Sequence, residues 1–350
     1  MRFPGHRTEA LALVAAGLVA VGCGGAPARP ETSGRGTAPD GLSADEAPRG
    51  DVPPAAPAVR RAERLLAEGR AEEALSVLQA RLSEAPEDAR AWFERGYAEE
   101  DLGRPEEALA AYQRAVQHAP GFAQAWTNLG RLLMEQGRLA EAVEALGRAV
   151  DLDPSLAEAW ANLGLAREQA GDLQGAREAL RRAARLQPRD ASVRVELGVV
   201  ALKLGEREEA RDALRAALPL ALRAEEPALL LAVGNGLRRL GEHRAARQAM
   251  EAAVRSRRAR HGRATPALWA ELALARRADG DGEGAYEALR QALRLEAGYA
   301  TAHFLLAAFA TEDGRSDVAR EHLRACLRYA EPRSAVHERC RRLQERLEGR

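Results

Sequence analysis

Apolar residues recur along the chain with the spacing of amphipathic helices, and the whole pattern returns every 34 residues from residue 55 onward. One period contains, in order, an aromatic residue, a Leu-Gly pair, a second glycine, an alanine and a proline: Trp126, Leu129, Gly130, Gly137, Ala142 and Pro154. A fixed period of this length is the signature of a stacked repeat array. Because such an array offers an extended surface and no enclosed cleft, the pattern predicts a protein that works by binding.

Each period predicts two helices joined by a turn. The second glycine follows one amphipathic stretch and precedes another, so we expect it to end the first helix in the left-handed conformation. The alanine five residues later predicts a close approach of the two helices. A proline ends the second helix in the early repeats, at Pro86, Pro120, Pro154 and Pro188.

The repeats define a predicted domain order. Repeats 1–5 span residues 55–224, less regular repeats 6–8 span 227–333, and residues 334–350 form a polar capping helix. Pro219 falls inside the second helix of repeat 5, where it should break or kink that helix and change the angle between repeats near 219–227. An insertion predicts a longer helix or a loop at 254–265.

The repeats resemble the tetratricopeptide repeat (TPR) family over about residues 55–333. The resemblance implies an all-α fold: a right-handed superhelix (an α-solenoid) of about eight helix-turn-helix repeats plus the C-terminal capping helix. Arg194, Leu230 and His303 depart from the family's aromatic fourth position. The residues that carry the resemblance are Trp92, Trp126, Trp160 and Trp269 at that fourth position, and Gly96, Gly130, Gly164, Gly198 and Gly234 at the eighth.

In this family, five positions of each first helix line a concave groove that binds partners. The alternative is that tight curvature buries these positions within the array. Asn128 and Asn162 match the central residue of the family's carboxylate clamp, but the flanking lysines are missing, so we do not expect that clamp. The implied groove residues are Phe93, Tyr97, Arg131, Met134, Leu165, Val195, Val199, Leu202, Leu231 and Asn235.

The N-terminus predicts export. A basic start precedes twelve uncharged residues, Ala10 to Val21, which suits a signal peptide in residues 1–22. The sequence ending at Cys23 resembles a bacterial lipobox, so Cys23 is expected to carry lipid such as palmitate. Cleavage near Ala28 as an ordinary secretory signal, or an uncleaved anchor, are the alternatives. Residues 23–54, rich in Pro and Gly, predict a disordered tether.

Composition narrows the classes of function. The chain has 52 basic and 52 acidic residues, so no overall field recruits nucleic acid. The motifs of a P-loop, a zinc protease and a serine hydrolase are absent from the sequence. We therefore expect no enzyme activity, no cofactor or bound metal, and no small-molecule substrate. Five arginines between Arg255 and Arg263 form either a solvated helix or a contact for an anionic partner.

Two cysteines near the C-terminus leave three alternatives open. Cys326 and Cys340 could be buried apolar thiols, or a disulfide formed in an oxidising compartment. With His322 and His337 they could also form a tetrahedral zinc set.

The sequence favours a membrane-tethered TPR scaffold or adaptor that binds proteins of the cell envelope. It is similar to TPR lipoproteins in pilus or secretin biogenesis, or to adaptors of peptidoglycan enzymes. Gly24 after the cysteine favours the periplasmic face of the outer membrane. One alternative is a structural TPR lipoprotein that self-assembles through repeats 6–8. Another is the non-catalytic part of an enzyme complex.

Overall fold

A computed structural model of the chain describes residues 55–348. Within that span the structure is all helix and turn, with no strand, so the predicted all-α class is confirmed. The signal peptide, Cys23 and the tether lie outside the described residues. The helices are α1 (Pro57–Ala67), α2 (Ala71–Glu84), α3 (Ala89–Asp101), α4 (Pro105–His118), α5 (Ala123–Glu135), α6 (Leu139–Leu152), α7 (Ala157–Gln169), α8 (Leu173–Leu186), α9 (Ala191–Leu204), α10 (Arg207–Ala224), α11 (Pro227–Arg239), α12 (His243–His261), α13 (Pro266–Ala278), α14 (Gly282–Leu295), α15 (Ala300–Glu312), α16 (Ser316–Tyr329) and α17 (Ala335–Glu348).

Helices α1 to α16 form eight helix-turn-helix pairs, and each pair turns at a glycine. Gly205 ends α9 with φ of 80°, a left-handed conformation that a side chain would strain. The predicted left-handed stop is thereby confirmed. The glycines that share it are Gly69, Gly103, Gly137, Gly171, Gly241, Gly280 and Gly314.

The two helices of each pair pack backbone against side chain. A Cβ atom added to Gly164 would lie 2.6 Å from Leu180 Cγ and 3.3 Å from the carbonyl oxygen of Ala176. Only glycine fits there, and only a small residue fits opposite. The recurring alanines are accordingly all 0% exposed, as predicted: Ala74, Ala108, Ala142, Ala176, Ala210, Ala246, Ala285 and Ala319.

In repeats 2 to 4 the fourth position of the repeat ties the helix pair to the end of the preceding one. The indole N–H of Trp92 donates a hydrogen bond of 2.7 Å to the carbonyl oxygen of Pro86, six residues earlier. That carbonyl belongs to the end of the previous repeat, where the helix can no longer supply a donor. The same bond joins Trp126 to Pro120 at 2.9 Å and Trp160 to Pro154 at 3.0 Å.

This bond explains two departures from the aromatic pattern. Arg194 Nε donates to the carbonyl oxygen of Pro188 at 2.9 Å, and His303 Nε2 lies 3.0 Å from the carbonyl oxygen of Ala297. Both residues keep the N–H of the missing tryptophan. Leu230 has no such group and is instead buried, with 1% of its surface exposed.

The predicted interruptions have different outcomes. The helix does not break at Pro219: α10 continues through that residue to Ala224. Pro219 is exposed, so water can reach the carbonyl group that loses its helical partner. The longer helix expected after residue 254 is present, since α12 extends to His261 and ends at Gly262 with φ of 72°.

The described residues fall into two compact units, 55–213 and 214–348. In the first unit, large fully buried side chains such as Tyr112, Phe122 and Leu146 form the core between helix pairs. The predicted boundaries at 224 and 227 concern sequence repeats, which is a different division. None of the described helices is long and apolar enough to cross a membrane.

The capping helix is covalently attached. Cys326 of α16 and Cys340 of α17 form a disulfide, 14 residues apart in sequence, and both are fully buried. Of the three alternatives for these cysteines, the structure has the disulfide. Neither thiol is then free to join His322 in a zinc set, and His322 Nδ1 instead lies 3.1 Å from His303 Nδ1.

Candidate binding groove

A cavity of about 330 Å³ opens on the first helices of repeats 2, 3 and 4. We call it the first-helix cavity. Every helical residue around it belongs to a first helix, because second helices pack on the opposite side of each pair. Its walls are Arg90, Phe93, Glu94, Tyr97, Phe122, Gln124, Thr127, Asn128, Leu156, Glu158 and Ala159.

Aromatic rings form one wall of this cavity. Phe93 lies 4.7 Å from Phe122 and 5.0 Å from Tyr97, measured between ring centroids. Tyr97 meets its neighbour edge to face, which is the favourable geometry for ring quadrupoles. Phe93 and Phe122 are buried, whereas Tyr97 is 38% exposed. The wall therefore combines two buried rings with one ring that is partly exposed to solvent.

Two amide side chains of α5 have unmade hydrogen bonds. Among the described residues, Gln124 Oε1 and Asn128 Nδ2 are buried atoms without a hydrogen-bond partner. Asn128 lies beside the Tyr97 hydroxyl, but its Nδ2 makes no bond of acceptable geometry. Leaving such a group unpaired costs about 1–3 kcal/mol. The two residues are four apart, so an acceptor and a donor stand on one helix face.

A buried acid lies at the edge of the cavity. Arg90 donates to Glu94 at 3.2 Å and to Glu63 at 2.8 Å, so one guanidinium serves two carboxyl groups. Burial raises the pKa of Glu94 to about 7, although the charge of Arg90 opposes the shift. The Arg90 guanidinium also lies 5.8 Å from the ring centre of Phe93.

The first helix of repeat 5, α9, carries a half-buried acid at the same repeat position. Burial and the neighbouring charge of Glu168 raise the pKa of Glu196 to about 7, and Lys203 opposes that shift only partly. Lys203 donates its hydrogen bond to Glu168, at 2.7 Å, and not to Glu196. Glu196 thus has no ion pair or hydrogen bond to any described side chain.

Replacing Glu196 by glutamine should stabilise the folded chain at alkaline pH. Because the folded pKa of Glu196 is raised above the ordinary glutamate value of 4.5, the acid favours folding below that value and loses this contribution as the pH rises toward about 7. We expect Glu196→Gln to raise the free energy of unfolding by roughly 1–2 kcal/mol at pH 8. The gain should shrink as the pH falls toward 5.

Denaturant titrations at pH 5 and pH 8 measure this difference. Glu178→Gln, which changes an exposed glutamate of α8, is the matched control and should give no such pH dependence. An equal effect of Glu196→Gln at both pH values would contradict the assignment.

The structure places the groove residues implied by the family resemblance in different environments. Phe93 and Tyr97 line the first-helix cavity. Val195 is buried, with 3% exposed, and Arg131 is held by Glu100 and Glu135. The remaining implied residues are half-buried: Met134, Leu165, Val199 and Leu202 in the first unit, and Leu231 and Asn235 in the second.

Sequence reasoning missed several cavity residues. Arg90, Gln124 and Glu158 occupy the second position of successive repeats, and Glu94 occupies the sixth. The sixth position did carry a signal, because it is Glu, Asn, Asn and Glu in repeats 2 to 5. Polar residues that recur on an otherwise apolar helix face indicate a surface used for binding.

A larger cavity, about 520 Å³, is lined by residues of α6, α7 and α8 in the same unit. Second-helix residues such as Asp151, Glu178 and Arg182 contribute to it. Its one aromatic ring, Trp160, already donates its N–H to Pro154. We favour the first-helix cavity because aromatic surface and unmade hydrogen bonds meet there. No group of three or more metal-ligating side chains occurs anywhere in residues 55–348.

Comparison with known families agrees with this architecture. A family model described as the cilia and flagella-associated protein 70 C-terminal domain matches residues 57–261, the span from α1 to α12. The chain belongs to this tetratricopeptide-repeat family. It is therefore a TPR scaffold, an architecture that binds other proteins. The ciliary role in the description is that of the named protein.

Several solved structures are similar to the chain at low identity, and no curated protein matches the sequence. MamA from Desulfovibrio magneticus RS-1 is 22% identical over 47% of this chain and 96% of its own, with a TM-score of 0.43. PilF of Pseudomonas aeruginosa is 21% identical over 70% and 93%, with a TM-score of 0.45. A TPR protein from Parabacteroides merdae is 15% identical over 77% and 97%, with a TM-score of 0.49. Likenesses at this level carry nothing about binding or assembly.

Proposed function

We propose that this chain is a membrane-tethered TPR adaptor that holds an extended segment of a cell-envelope protein in the first-helix cavity. The observation that carries the proposal is the pair of unmade hydrogen bonds, Gln124 Oε1 and Asn128 Nδ2, beside an aromatic wall. The chain would act by holding its partner and not by catalysis.

An extended polypeptide suits the chemistry of this cavity. Each of its residues offers one backbone N–H and one C=O. Gln124 supplies the acceptor for the former and Asn128 the donor for the latter. An apolar side chain of the segment then packs on Tyr97, the exposed ring of the wall. Small side-chain movements are enough to bring the amides to the ligand, because both already line the cavity.

Two features support an envelope location. The N-terminal sequence predicts export and a lipid on Cys23. The Cys326–Cys340 disulfide suits an oxidising compartment, where such bonds persist. A lipid and a tether of about thirty residues would raise the local concentration of the array near its membrane-bound partner. Secretin or pilus assembly and the peptidoglycan machinery are the envelope systems we propose for it.

Site-specific photocrosslinking in the organism that encodes the chain tests the proposal. A photoreactive amino acid at Tyr97 should crosslink to one segment of an envelope protein, and the same group at Arg182 on the second-helix side should not. Adding Gln124→Ala and Asn128→Ala to the Tyr97 probe should reduce that crosslink about tenfold or more, since two hydrogen bonds are lost.

Membrane fractionation of the same strains tests the tether. The crosslinked product should be found with the outer membrane, and Cys23→Ala should release the chain into a soluble fraction. Crosslinks that are equal at Tyr97 and Arg182 would refute the groove. A Cys23→Ala chain that remains in the membrane would refute the lipid anchor.

A further inference from the structure

The four first helices of repeats 2 to 5, α3, α5, α7 and α9, form what we call the first-helix face. All six of its basic side chains already have partners among the described residues. Three hold acids of the same face or of α1: Arg90 pairs with Glu63 and Glu94, Arg131 with Glu100 and Glu135, and Lys203 with Glu168. The others are occupied locally: Arg95 by Glu99, Arg167 by the carbonyl oxygen of Gly175, and Arg194 by that of Pro188.

Two acids of this face are left over. Glu158 of α7 and Glu196 of α9 have no ion pair or hydrogen bond to any described residue. Glu158 is exposed and borders the first-helix cavity. Glu196 is half-buried near Glu168 and is destabilised as a carboxylate by that burial. The face therefore has unmet negative charge and no free positive charge.

Apolar surface lies next to both acids. Tyr97 faces Glu158, whose charge acts on the Tyr97 hydroxyl. Leu165 of α7 and Val199 of α9 occupy the same position of their repeats, on the C-terminal side of the acid in each helix. Both side chains are half-buried. Glu196 is a partly desolvated carboxylate beside apolar surface, which is a costly arrangement unless a cation pairs with it, whereas Glu158 is exposed and accessible to a cation.

We propose that the segment bound on the first-helix face is basic and apolar, with a lysine or arginine side chain pairing with Glu158 or Glu196 beside an apolar side chain on the neighbouring surface. This inference rests on the proposed function, since it requires that the face bind a polypeptide. It is the opposite of a carboxylate clamp: a segment with free acidic groups would be repelled by both glutamates.

Selection of peptides on the purified full chain tests this inference. A display library of random extended heptapeptides is enriched separately on four proteins: the wild type, Glu158→Gln/Glu196→Gln, Tyr97→Ala, and the control Glu144→Gln/Glu178→Gln. The control removes the same charge from exposed positions of second helices. Cooperative thermal unfolding of all four proteins at pH 7 is checked first, with Glu158→Gln/Glu196→Gln expected to be the more stable because the buried charge is removed. The dissociation constants of selected peptides are then measured at two salt concentrations.

The expected consensus is lysine or arginine next to a large apolar residue. Affinity for the wild type should fall with rising salt, and Glu158→Gln/Glu196→Gln should bind at least about tenfold more weakly, while the control binds as the wild type does. Peptides that need Tyr97 but are neutral or acidic, or that bind the double variant equally well, would overturn the basic-segment inference and leave the proposed function standing. A library that yields no peptide dependent on Tyr97 would overturn both.

Discussion

Replacing both Cys326 and Cys340 by alanine should lower the free energy of unfolding of the C-terminal unit by about 3 kcal/mol, the entropy expected for closing a loop of this length. The disulfide matters more here than in an ordinary helix pair. Cys340 is the buried residue of α17, whose other described side chains are exposed or half-buried. Without the covalent link, little apolar burial holds the capping helix in place.

Denaturant titration and limited proteolysis measure this effect. Cleavage near residues 330–335 should become fast in the double variant. Reductant should weaken the wild type to the same extent and leave the variant unchanged, which separates loss of the bond from a packing defect. If reductant had no effect on the wild type, the disulfide would not be what secures α17.

A single methyl group at Gly130 should destabilise the first unit by about 2 kcal/mol, even though alanine is the better helix former. The added Cβ would lie 2.5 Å from Leu146 Cγ, the branch point of a fully buried side chain. A branch point cannot move without its whole side chain, so either the helices separate or Leu146 leaves its rotamer.

Gly234→Ala is the matched control at the same repeat position. There the new Cβ would meet Met250 Cε at 2.8 Å, the far end of a flexible side chain, with Cγ at 3.1 Å and Sδ at 3.2 Å. We expect a clearly smaller loss for that variant, because the unbranched Met250 side chain can adjust more easily than the branch point of Leu146. Leu146→Ala should itself cost about 2–5 kcal/mol, but in combination with Gly130→Ala the two losses should not add. Equal losses for the two glycine variants would contradict this account.

Much of the fold could be predicted from the period alone. The glycine at each turn and the alanine opposite each first helix are dictated by backbone geometry, which is the same in every repeat. Pro219 shows the limit of such reasoning. Its position within a helix predicted a break or a kink. The helix does not break there, because Pro219 is exposed, which depends on how α10 packs.

The candidate site was only partly predictable. Of the residues implied by the family resemblance, Phe93 and Tyr97 lie around one cavity, whereas Val195 is buried by packing. Gln124 and Glu158 also border the cavity, although they were not among the residues named from the resemblance. The position of a residue within a repeat determines the direction in which its side chain leaves the helix. Packing of the neighbouring repeats determines whether that side chain is exposed or buried.

The sequence by itself determined that this protein is an array of helix pairs, because a 34-residue period of glycine, alanine and proline leaves the backbone little choice. Tertiary structure alone decided which charges remain unmatched. Arg90 reaches Glu63 across 27 residues, and Lys203 reaches Glu168 across 35. Glu196 remains without an ion pair because Lys203, the one lysine of the sequence, bonds to Glu168. Such pairings depend on the positions of side-chain tips from adjacent repeats, and no repeat contains that information on its own.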